Sequence, residues 1–132
     1  MLPILSRLKR KTGIRSVERI LDMIHRRQSE FNGAVDLSWS PTDQGAAVRV
    51  FLKFDAPPTT PGDIEVIYNS GDGANYDTLI EKIDPSVDGL TDIAMLIGNE
   101  TPLFSTDAIQ VKYPNTNTRR VNVTIIGADD YF

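Results

Sequence analysis

Apolar residues follow two different rhythms along this chain. Near the N-terminus Val17, Ile20, Leu21 and Ile24 recur at i, i+3, i+4 and i+7, the stripe of an amphipathic helix face. Ser16 supplies an N-cap and Asn32-Gly33 a stop, so the spacing predicts a helix over residues 16–30. A lone helix of about 15 residues is marginal in water, so the stripe is expected to pack on this chain's body, on a second copy or on a partner. A second apolar cluster, Leu2, Ile4, Leu5 and Leu8, precedes it as one more helical turn or an extended hook.

From residue 46 the period becomes two. Val48, Val50, Leu52 and Phe54 alternate with Ala47, Arg49, Phe51 and Lys53, as in a half-buried strand. Further strands are expected around Ile64–Tyr68, 76–83, 91–97 and 109–113, and around Val121, Val123 and Ile125, with Leu103 and Phe104 as a short edge strand. Pro57-Pro58, Pro61-Gly62, the segment NSGDGAN and the Asp84-Pro85 turn separate them. Pro114-Asn115-Thr116-Asn117 reads as the turn of a closing antiparallel hairpin. Six or seven short strands without intervening helices predict a mainly β fold, an antiparallel β-sandwich or jelly roll with an N-terminal helical arm. The division is residues 1–45, arm and linker, and residues 46–132, a β body expected to fold alone. Trp39, the single tryptophan, is read as a packing anchor.

Charge sharpens this division. Residues 1–30 carry eight basic and three acidic residues, a net +5, while the other 102 carry six basic and fifteen acidic, a net −9. A basic arm on an acidic body points to an acidic partner. The docking residues are therefore Leu2, Ile4, Leu5, Arg7, Leu8, Lys9, Arg10, Lys11, Arg15, Val17, Ile20, Leu21 and Ile24. Nucleic acid is the minor reading of this arm, which has the charge for phosphate contacts but no interleaved aromatics for stacking.

With no cysteine and one histidine, His25, thiolate chemistry and zinc sets are excluded and a surface role for the histidine is expected. No enzymatic activity and no cofactor is expected. The glycines at 71 and 73 precede no helix pattern, so a phosphate cradle fails its context. Asp72, Asp77, Asp84, Asp88 and Asp92 crowd two turns, a composition calcium loops share but which turns also favour. No apolar run approaches the roughly 20 residues of a membrane span, and the start lacks the order of a secretory signal.

The stretches VRVFLKFDAPPTTPGDIEVIYNS, GANYDTLI, TDIAMLI and DAIQVKYPNTNTRRVNVTIIG, between Val48 and Gly127, resemble the small β-sandwich accessory virion proteins of tailed bacteriophages. The resemblance leaves out the basic arm. It implies a virion location and a structural role, as capsid decoration or as a tail- or fibre-associated piece, with other virion proteins and copies of itself as partners. The alternative is a carbohydrate-type ligand-binding module used in adsorption, which a row of aromatics on one sheet face would favour among Phe51, Tyr68, Tyr76 and Tyr113.

Overall fold

The computed structural model describes residues 24–129. Eight strands follow in order: β1 (Ile24–Phe31), β2 (Val35–Trp39), β3 (Gln44–Phe54), β4 (Ile64–Asn69), β5 (Thr78–Ile83), β6 (Asp92–Phe104), β7 (Ala108–Tyr113) and β8 (Val121–Asp129). A first sheet has the order β1-β8-β3-β6 and a second the order β2-β7-β4-β5. Every ladder is antiparallel. Only β4 and β5 are consecutive strands paired in one sheet; all other connections cross between sheets. That is the strand order of an eight-stranded jelly roll.

The period-two alternation drives this closure. Val50, Leu52, Phe54, Ile93, Met95, Ile97, Val121, Val123 and Ile125 point inward from the first sheet, and Val35, Leu37, Trp39, Ile64, Val66, Ile109, Val111 and Tyr113 from the second. They form one core, in which each sheet hides the apolar face of the other from water. Phe54 and Tyr113 meet edge to face across it, centroids 5.5 Å apart.

Three sequence expectations are corrected. First, the predicted helix of residues 16–30 does not hold over its described part: residues 24–30 lie in β1, paired with β8 from Ile24↔Ala128 to Phe31↔Val121. The free edge of β8 offers a full ladder of backbone partners, and such long-range pairing overrides a local helical pattern. Residues 16–23 of that expectation lie outside the described residues. Second, the boundary at 45/46 falls inside β3. Residues 24–45 contribute two strands, and β2 buries Val35, Leu37 and Trp39 in the core. Third, β7 and β8 do not form a hairpin. They sit in different sheets, and residues 114–120 arch over one end of the sandwich. Buried Asn115, with φ of 50°, holds that arch by donating to Gly33 O and Arg119 O and accepting from Arg119 N. Leu103 and Phe104, expected as a separate strand, close the thirteen-residue β6.

The start of β1, the end of β8, the start of β3 and the end of β6 share one end of the first sheet, as Ile24↔Ala128, Gly45↔Asp129 and Gln44↔Phe104 show. Residues 1–23 therefore join the sandwich at this end. They join it at one long side, that of β1 and β2, while β5 and β6 form the opposite side.

Candidate interaction surface

Of the expected docking residues, only Ile24 is described. Leu2, Ile4, Leu5, Arg7, Leu8, Lys9, Arg10, Lys11, Arg15, Val17, Ile20 and Leu21 lie outside the described residues. Ile24 opens β1 and is 42% exposed. Every residue of β1 is exposed or half-buried, including His25, Arg26 and Arg27, so the root of the arm is an accessible edge strand.

The opposite side carries features that the sequence reading missed. Six large apolar side chains are exposed among the described residues: Ile24, Tyr76, Leu79, Val87, Leu96 and Phe104. All but Ile24 lie on β5, on β6 or in the loops flanking β5. β6 ends its sheet and turns Leu96, 70% exposed, and Phe104, 61% exposed, outward. A long edge strand with unpaired backbone groups is a ready template for another chain. The same stretch is acidic: residues 70–107 hold eight carboxylates and one base, Lys82. Lys82 is engaged by Asp63 at 3.4 Å, and Lys53 of β3 approaches Asp92 at 4.0 Å. The signal was legible, since those 38 residues hold most of the body's negative charge. Reading the body as one charge total concealed it.

The aspartates of the two turns serve the loops. Asp77 Oδ1 accepts from Ser70 N at 2.9 Å, and Asp84 Oδ1 accepts from Ser86 N at 2.9 Å and Ser86 Oγ at 2.7 Å. The Ser86 hydroxyl and amide hold the Asp84 carboxyl below its ordinary range. Among the described residues no three His, Cys, Asp or Glu side chains group as a metal site.

Asp107 ties the β4–β5 loop to the β6–β7 turn. It is 5% exposed, and its carboxylate accepts from Gly71 N at 2.8 Å and Phe104 N at 2.9 Å. Burial works against its charge, but those two amides and the Tyr68 hydroxyl outweigh it and keep the carboxyl below its ordinary range. Tyr68 is pushed up, by burial first and by the Asp107 charge second. A depressed carboxyl contributes stability above its unfolded pKa, near 3.9, and loses it as pH falls through the folded value. Asp107→Asn is therefore expected to cost about 1–3 kcal/mol at pH 7, with the gap to the parent narrowing below about pH 4. Urea midpoints at pH 7 and pH 3 measure this. A gap constant with pH would show that the charge contributes nothing.

The aromatics do not form a binding row. Phe51 stands on the outer face of the first sheet, beside a shallow groove of about 380 Å³ shared with Lys53, Asp92, Ala94, Asn122 and Thr124. Tyr113 is buried against Phe54, Tyr68 is tied to Asp107, and Tyr76 sits in the β4–β5 loop. No helix among the described residues is long and apolar enough to cross a membrane.

Comparison with known proteins gives no family model and no curated protein that matches. Among solved structures the chain is similar to the crystal structure of the Yersinia pseudotuberculosis-derived mitogen YPM, with 12% identity and a TM-score of 0.45, covering 83% of this chain and 87% of that one.

Proposed function

We propose that this chain is a structural, non-enzymatic protein of a tailed-phage virion, in which the β-sandwich is the rigid body and residues 1–23 dock it on other virion proteins. The observation that carries the reading is the exposed edge strand β1, to which residues 1–23 are directly joined in sequence. Residues 1–23, with six basic and two acidic side chains, continue directly into the exposed edge strand of an otherwise acidic sandwich. A charged segment at one corner of a rigid body can reach a partner without disturbing the core behind it. Opposite charges steer such an encounter, and the steering is screened over about 8 Å at physiological salt. The apolar residues Leu2, Ile4, Leu5 and Leu8 supply the part that salt does not weaken. Capsid decoration and tail or fibre attachment are both roles of this kind.

The test uses particles made without this protein, to which the full chain and a chain beginning at Ile24 are added separately. The full chain is expected to bind, more slowly as salt rises, and the trimmed chain to stay in solution. Equal binding by both would overturn the docking role of the arm.

A further inference from the structure

Resting on that docking role, we infer that the acidic and apolar β5–β6 side of the sandwich receives the arm of a second copy, so that copies join head to tail. Three observations combine. The arm and this side are complementary in charge: residues 1–23 are net +4, and Asp72, Asp77, Glu81, Asp84, Asp88 and Asp92, all exposed or half-buried, set against Lys82 leave this side at net −5. They are complementary in apolar character as well. The arm carries Leu2, Ile4, Leu5, Leu8, Val17, Ile20 and Leu21, and the side exposes Leu79, Leu96 and Phe104.

The third observation is position. The arm springs from β1, at one edge of the first sheet, and β6 is the opposite edge of the same sheet. With strands about 4.8 Å apart the two are about 14 Å distant across the sheet. An arm folding back on its own body spends part of its length crossing that distance. Between neighbours set side by side, the root of one arm meets the acidic side of the next copy directly, and the whole arm is available for contact. Twenty-three residues span at most about 75–80 Å, ample for this reach. The contact joins different patches on the two copies, so it is heterologous and builds a ring or an open chain.

Two variants separate this arrangement from its rivals. One begins at Ile24 and keeps the acidic side. The other keeps the arm but carries Glu81→Lys, Asp88→Lys and Asp92→Lys, all exposed positions; parental melting of both confirms that the sandwich is intact. Mass by light scattering at low salt is the readout, against a single-chain mass of 14.7 kDa. The unaltered chain is expected to gain mass with concentration, and each variant alone to stay at one chain. Mixing the two should restore a 1:1 complex, because the arm of one finds the acidic side of the other. A trimmed variant that dimerises alone would point to β6 pairing with β6 and overturn the proposal. An unaltered chain that stays at single-chain mass would overturn it too, by showing the arm folded on its own body or idle. If particles still require the arm while these masses stay single, the head-to-tail contact falls and the docking function stands.

Discussion

A fragment of residues 46–132 is expected to give no cooperative thermal transition, whereas residues 24–132 are expected to melt as a single unit. The shorter fragment lacks β1 and β2, which pair with β8 and β7. With β2 go Val35, Leu37 and Trp39, at 2%, 3% and 8% exposure. Burying each such side chain contributes about 1.5–3 kcal/mol, so the three together match most of the 5–15 kcal/mol by which a domain is stable. Their loss also bares the inner faces of Ile109 and Val111 and leaves β8 and β7 with open edges. Circular dichroism with a thermal melt decides the matter. A cooperative melt from residues 46–132 would mean that β1 and β2 are accessory to the fold.

Within the longer fragment, the contact between Trp39 and Gly127 is expected to be the most sensitive single point. A Cβ placed on Gly127 would overlap the Trp39 ring, whose Cζ2 and Cζ3 would lie only 2.6 Å away. The indole of β2 thus lies flat on the backbone of β8 and locks the two sheets together at the arm end. Trp39→Ala removes the ring and leaves a void, at a cost of about 3–5 kcal/mol. Gly127→Val drives a side chain into the ring, at about 1–3 kcal/mol. Combining the two should cost less than the sum, since the smaller residue at 39 vacates the space that Val fills. Denaturant midpoints of the two single variants and the double measure it. Strict additivity would show that the residues do not share a contact.

The strands after residue 46 were legible because one sheet face is buried and the other wet, and alternation records that directly. Ile64, Val66, Ile109, Val111, Val121, Val123 and Ile125 are inward as their spacing predicts, and Trp39 is the packing anchor expected of it. The first strand was hidden for a physical reason. β1 is an edge strand exposed along nearly its whole length, so its residues carry no alternation, and the helical spacing of the residues before it extends into Ile24. Strand partners were not legible either. Residues 114–117 have the composition of a hairpin turn, but composition cannot distinguish a turn within one sheet from an arch between two; the buried hydrogen bonds of Asn115 make that choice. In β6 the outward Leu96 and inward Ile97 read as one apolar run, which concealed that the strand has an open edge.

The most direct test of the proposed virion role is cryo-electron microscopy of whole particles produced by the source of this gene. The account predicts density for an eight-stranded sandwich on the particle, held by a contact that residues 1–23 make with a neighbouring protein. Particles whose maps and protein content lack this chain would contradict it.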